Sequence, residues 1–137
     1  MKDFSLGILT PVGEAFSGEV KELFARTTGG EIGILANHTD YLAGIVPCVV
    51  KLTDRDEKER YAFCGGGFIS VVAGAVTMTV DEFVFAGEIS IELVTAEKER
   101  LSAQLAACDE KREPERAQYL KTSLRRIEAK CKAAELR

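Results

Sequence analysis

A chain of 137 residues holds one domain, or one small domain with an appendage, and its 46% apolar and 29% charged content is ordinary for a globular protein. A formal charge of −4, with no RNA- or DNA-reading motif, argues against a nucleic-acid partner. No apolar run approaches the roughly 20 residues of a membrane-spanning helix, and the opening MKDFSLGILTPVGEAF resembles neither a signal nor a transit peptide, so the chain reads as cytosolic.

From the N-terminus, short apolar-rich segments follow one another: FSLGILT (4–10), EVKELFART (19–27), EIGIL (31–35), YLAGIV (41–46), CVVKLTD (48–54), RYAFC (60–64), GFISVV (67–72), AVTMTV (75–80) and EFVFA (82–86). Turn-formers separate them: Pro11-Val12-Gly13, Ser17-Gly18, Gly29-Gly30, Asp54-Arg55-Asp56, Gly65-Gly66-Gly67 and Ala73-Gly74. In AVTMTV, Val76, Met78 and Val80 fall on one side, and Thr77, Thr79 and Asp81 on the other. That period of two marks strands with one buried face. About ten short strands at this spacing predict a β-sandwich or barrel. No helix-length pattern interrupts them, which excludes parallel βαβ units.

The pattern changes near Gly87. From Ile89 to Arg137 there is no glycine and one proline, and helix formers dominate. Val94, Leu101, Leu105 and Cys108 mark the apolar face of a first helix. DEKREPER breaks it, and Pro114 suits the first turn of a second. Leu120, Leu124, Ile127, Cys131 and Ala134 then form a seam at heptad spacing. Two such helices joined by a short polar link fold back as an antiparallel hairpin. Helices this short are marginal alone, so the seam must be buried on its neighbour, the sandwich or a partner. The expected organisation is thus a β-sandwich at residues 1–87 and a two-helix domain at 88–137.

Charge divides at the same place. Residues 1–87 carry 7 Lys+Arg against 12 Asp+Glu, net −5, and residues 88–137 carry 11 against 10, net +1. The second helix ends in the basic cluster Lys121, Arg125, Arg126, Lys130 and Lys132, read as a solvated face or a dock for an acidic protein surface. Cys48, Cys64, Cys108 and Cys131 never form C-x-x-C, and with one histidine in the chain they read as reduced thiols rather than metal ligands.

The one histidine, His38, lies in TTGGEIGILANHTDYL (27–42). No G-x-S-x-G or activated nucleophile accompanies it, so it reads as a structural or interface residue and not a catalytic base. GGEIG lacks the P-loop spacing and places a carboxylate where amides should meet an anion. CGGGF precedes a strand, not a helix. Both read as turns, and no catalytic site or cofactor is expected.

Taken together, LTPVGEAFSGEVKELFARTTGGEIGILANHTDYLAGIVP resembles the epsilon subunit of F-type ATP synthases, whose pattern runs T-P-x-G, F-S-G-E-V, G-E-I-G-I-L-P-G-H-A-P-L. YAFCGGGFISVVAGAVTMTVDE is similar to its G-G-F-x-x-V block and the strand that follows. The resemblance implies a non-catalytic central-stalk subunit that couples proton or sodium flow to ATP synthesis. It would be held by gamma, rest on the c ring, and be confined to the cytoplasmic face of a bacterial membrane through the complex. It places Gly30, Glu31, Ile32, Gly33 and His38 at the gamma and c-ring contact. It also implies that the helices pack on the sandwich or extend towards the alpha/beta catalytic subunits to restrain ATP hydrolysis, with Arg125, Arg126 and Lys130 meeting an acidic segment of beta.

The chain departs from the pattern at three points, one of them Thr39-Asp40-Tyr41 in place of A-P-L after the histidine. Ala36-Asn37 replaces P-G before the histidine, and Asn37 suits the left-handed turn position. Some members bind ATP through D-x-x-R-A at the start of the first helix, where this chain has Glu92, Leu93, Val94, Thr95 and Ala96. Without the arginine a charge-assisted contact to phosphate is lost, so weak or no ATP binding is expected. The alternative role implied by the family is an ATP-sensing module whose hairpin responds to nucleotide.

Overall fold

The computed structural model describes residues 2–137. Alternating apolar side chains form nine strands: β1 (Phe4–Thr10), β2 (Gly13–Thr27), β3 (Gly30–Ile34), β4 (Tyr41–Ile45), β5 (Cys48–Asp54), β6 (Glu59–Cys64), β7 (Gly67–Val72), β8 (Ala75–Val80) and β9 (Phe83–Phe85). One layer runs β4-β7-β8-β1 and closes on the first half of β2; the other runs from β3 through the second half of β2 to β5, β6 and β9. β2 therefore belongs to both layers, and the strands number nine where the sequence suggests about ten.

This corrects one expectation from the sequence. Ser17-Gly18 is not a turn: it lies inside β2, opposite Gly7 and Leu6 of β1. The strand bends further on, where its register with β5 shifts between Val20 and Glu22. An extra residue there increases twist and lets one strand cross between layers. β1 and β8 pair in parallel although no βαβ unit is present, because the long path between them is itself β-structure.

The inner faces interdigitate through Leu6, Ile8, Leu23, Ile34, Leu52, Ile69 and Met78, all essentially solvent-free. The β8 pattern is as the sequence implies, with Val76, Met78 and Val80 buried and their neighbours exposed. Burying such side chains at about 1.5–3 kcal/mol each is what holds the layers together.

After a 3-10 turn at Ala86–Glu88 come α1 (Ile91–Ala107) and α2 (Pro114–Glu135). Ser90 caps α1 by accepting from the Leu93 amide at 3.3 Å, and Pro114 occupies the first turn of α2. The helices pack on each other through Val94, Leu101, Ala117 and Leu120, and α2 lies on the outer face of β5 and β6. There Phe63, Ile89, Ala133 and Ala134 form a second, thinner apolar cluster with Val49, Val84 and Ile127. Among the described residues no helix is long and apolar enough to cross a membrane.

Candidate functional site: two outer faces of the sandwich

The outer face of β4, β7, β8 and β1 has no helix over it. Register places Leu42, Gly44, Phe68, Ser70, Val72, Ala75, Thr77, Thr79, Gly7 and Leu9 side by side on it. None of these residues is charged. Leu42 is 73% exposed, Phe68 63% and Val72 62%. A contiguous uncharged face with protruding apolar side chains is the signature of a protein interface, not of a solvated surface. The sequence reading overlooked it, although GFISVV carries apolar residues on both faces of the strand. That doubled pattern was the available signal.

His38 lies in the loop between β3 and β4. Its loop is tied down by Asp40, whose carboxylate accepts from the Ala73 amide at 2.9 Å in the β7–β8 turn. That two-residue turn is formed by Ala73 (φ 50°) and Gly74 (φ 83°), both left-handed as a tight hairpin requires. Asn37 has φ 65°, the left-handed conformation that asparagine tolerates better than most residues. The His38 Nδ1 lies 2.8 Å from the Thr39 carbonyl, and the ring meets Tyr41 edge-on at 5.9 Å. The ring is positioned by backbone and an aromatic neighbour, not by a nucleophile.

Gly30, Glu31, Ile32 and Gly33 lie on β3, which pairs with β2 alone. Buried Thr27 fixes the hairpin, its hydroxyl donating to the Gly30 carbonyl at 2.8 Å and accepting from the Gly29 amide at 3.1 Å. Glu31 accepts from Arg26 at 3.0 Å. Phe24 lies over Gly33, where a Cβ would come within 2.6 Å of its ring.

Of the basic residues of α2, Lys132 lines a cavity with Arg26 and Glu31, while Arg126 and Lys130 face another part of the sandwich. Arg126 donates two bonds of 3.1 Å to Asp81 and one of 2.8 Å to Glu82. Lys130 donates to Glu82 at 2.6 Å. Both cations lie over the Phe63 ring, at 5.2 and 5.6 Å. Gly65 makes room for this: a Cβ there would fall 1.8 Å from the Asp81 carboxylate. Burial alone would raise the Glu82 carboxyl, but the bonds from Lys130 and Arg126 outweigh it and hold its pKa below the usual value. Arg125 points outward and is exposed. Arg126 and Lys130 therefore fasten the tail to the sandwich, while Arg125 is the member of the trio presented to solvent.

A cavity of about 220 Å³ between hairpin and sandwich is lined by Glu82, Glu97, Ser123, Arg126, Ile127 and Lys130. Its two cations are already matched by Asp81 and Glu82. Glu92 and Thr95 are exposed on α1. Among the described residues no group of three His, Cys, Asp or Glu is placed to hold a metal ion.

Residues 3–86 match the ATP synthase delta/epsilon chain β-sandwich domain. The chain belongs to the ATP synthase delta/epsilon chain family. It is 36% identical over 103 residues to a Clostridium acetobutylicum ATP synthase epsilon chain, covering 75% of this chain and 77% of that one. It is 31% identical over 128 residues to a Clostridium botulinum ATP synthase epsilon chain, covering 93% and 95%. The fold is shared with a chain in a cryo-EM structure of the Euglena gracilis mitochondrial ATP synthase, at a TM-score of 0.82 and 23% identity over 98% of this chain and 82% of that one. Like its epsilon-chain relatives, the chain is a subunit of an ATP synthase and not a catalyst by itself.

Proposed function

We propose that the chain is a central-stalk rotor subunit that couples proton or sodium translocation to ATP synthesis, with residues 1–87 as stalk domain and 88–137 as regulatory tail. The uncharged outer face around Leu42, Phe68 and Val72 carries this reading, because a face so exposed and so apolar requires a partner. Gamma is the partner proposed for it, with the His38 loop in the same contact and the Gly30–Gly33 strand reaching the c ring. The complex would hold the chain at the cytoplasmic face of a bacterial membrane. In this reading the tail exchanges its seat on β5 and β6 for one against the alpha/beta catalytic subunits. Arg126 and Lys130 would then leave Asp81 and Glu82 and join Arg125 on an acidic segment of beta. The ATP-sensing alternative finds no support in the 220 Å³ cavity, where no unmatched cation awaits a triphosphate.

The test is binding to a gamma–c-ring subcomplex and inhibition of a synthase lacking its own epsilon chain. Phe68→Glu and Leu42→Glu should keep the fold and weaken binding by about 10-fold or more each, as central interface residues do. A chain ending at Gly87 should bind normally and fail to slow ATP hydrolysis. Full-strength binding of both face variants would remove the gamma assignment.

A further inference from the structure

Cys48 and Cys64 stand directly opposite each other on β5 and β6. Both belong to the inner core cluster, at 7% and 0% exposure, and both are free thiols. Opposed residues of an antiparallel pair have Cα atoms about 4.5–5.5 Å apart. That spacing lies inside the roughly 4.4–6.8 Å range that a disulfide spans. The Cys64 thiol donates to the Gly65 carbonyl at 3.2 Å, and the interaction between the two thiols draws Cys48 below its ordinary value and pushes Cys64 up. Cys48, the first residue of β5, borders a cavity of about 570 Å³ that opens between the end of α2 and the sheet and is lined by Arg26, Lys51, Tyr61 and Lys132 among others.

We propose that Cys48 and Cys64 are a reversible oxidation site, a dithiol that closes to an intrachain disulfide when a small hydroperoxide reaches Cys48 through this cavity. The roles follow from position. Cys48 is the attacking sulfur, because it stands at the start of β5 and keeps 7% exposure beside the cavity mouth; Cys64, fully enclosed, is the resolving one. The Cys48 thiolate attacks the peroxide, an S–O bond forms as the O–O bond breaks, and the leaving oxygen takes a proton to give water or an alcohol. The Cys64 sulfur then attacks Cys48, an S–S bond forms as the S–O bond breaks, and the departing hydroxide leaves as water with the Cys64 proton. Two electrons pass from the thiols to the peroxide, and a dithiol reductant returns them. Cys108 and Cys131 have no cysteine opposite, and burial pushes both of their thiols up. The neighbouring rung of the same hairpin, Val49 opposite Phe63, is the floor under α2, so the bond would brace the strands on which the tail rests.

The full-length chain treated with hydrogen peroxide, then unfolded, alkylated and peptide-mapped, tests this directly. The Cys48 and Cys64 peptides should be joined within one molecule, with the loss of two hydrogens, an unchanged far-ultraviolet spectrum, and full recovery in dithiothreitol. In Cys64→Ser, a dimedone adduct should accumulate on Cys48. Both thiols staying free for alkylation at a peroxide dose that oxidises Cys108 or Cys131 would overturn the proposal, as would a sulfenic acid trapped on Cys64. The first arm needs no variant, so a folding defect in Cys64→Ser cannot mask the result.

Discussion

Arg126 on the second helix grips Asp81 at the end of β8 with two parallel bonds of 3.1 Å, across 45 residues of sequence. Lys130, one helical turn on, holds Glu82 beside it. The apolar contact below is thin, since α2 meets the sheet largely through alanines. The tail's seat therefore depends on charge to an unusual degree, and four predictions follow from that and from the glycines around it.

Replacing Arg126 with Gln removes the bidentate pair and leaves the sandwich untouched. Each partly exposed pair contributes about 0.5–1 kcal/mol, and Arg126 serves two acids. Docking of the tail should weaken by about 1–2 kcal/mol, roughly 5–30-fold in population. Limited proteolysis within α1 and α2 should speed up accordingly, and added salt should do the same to the unaltered chain. Proteolysis indifferent to both would show that packing alone seats the tail.

Acid should release the tail, with a definite sign. The folded-state pKa of Glu82 lies below its reference value of 4.5, so its ionised form is the one docking favours. Its contribution is complete above the reference value and disappears as pH falls through the lowered folded value. Tail protection should be flat from neutral pH down to about 5 and fall only below about 4.5. In Glu82→Gln that acid-dependent step should shrink.

Two neighbouring glycines should respond differently to alanine. At Gly65 the added Cβ meets the Asp81 carboxylate, an exposed side chain that can swing away. At Gly67 it would fall 2.0 Å from the Thr79 carbonyl, which is backbone in a paired strand. Gly67→Ala should lower the melting temperature sharply, by several kcal/mol of stability. Gly65→Ala should leave the sandwich nearly as stable and loosen the tail instead. Equal melting losses would refute the distinction.

ATP should bind weakly or not at all. The cavity cations are matched by Asp81 and Glu82, and Thr95 supplies no charge to a phosphate. Calorimetry with the full chain should show no site of millimolar affinity or tighter. Arg126 and Lys130 cannot serve a triphosphate without first losing their acids, whose exposed carboxylates would then repel it.

Much of the fold was legible because its signals are local. Val76, Met78 and Val80 alternate with threonines, and a strand with that pattern has one inner face wherever it lies. Pro114 and the glycine-free tail likewise specify helices without reference to anything distant. Ser17-Gly18 misled for the same reason. Turn-formers state what a chain tolerates, while the pairing with Gly7 and Leu6 decides what it does.

The candidate site was less legible. His38, Glu31 and the basic cluster were visible as unusual residues, but Phe68, Val72 and Leu42 look like ordinary strand residues. Only their shared outer face, with no helix above it, turns them into a surface that needs a partner.

The sequence by itself determined the class of architecture, the inner face of β8 and the two helices, since periodicity is a property of neighbouring residues. The tertiary structure decided that β2 serves both layers, which outer face α2 covers, and that Arg126 and Lys130 face Asp81 and Glu82. Those are matches between segments far apart in the chain. A local pattern says that a face is apolar or a side chain charged, but only closure of the sheet brings the two partners within a few ångströms of each other.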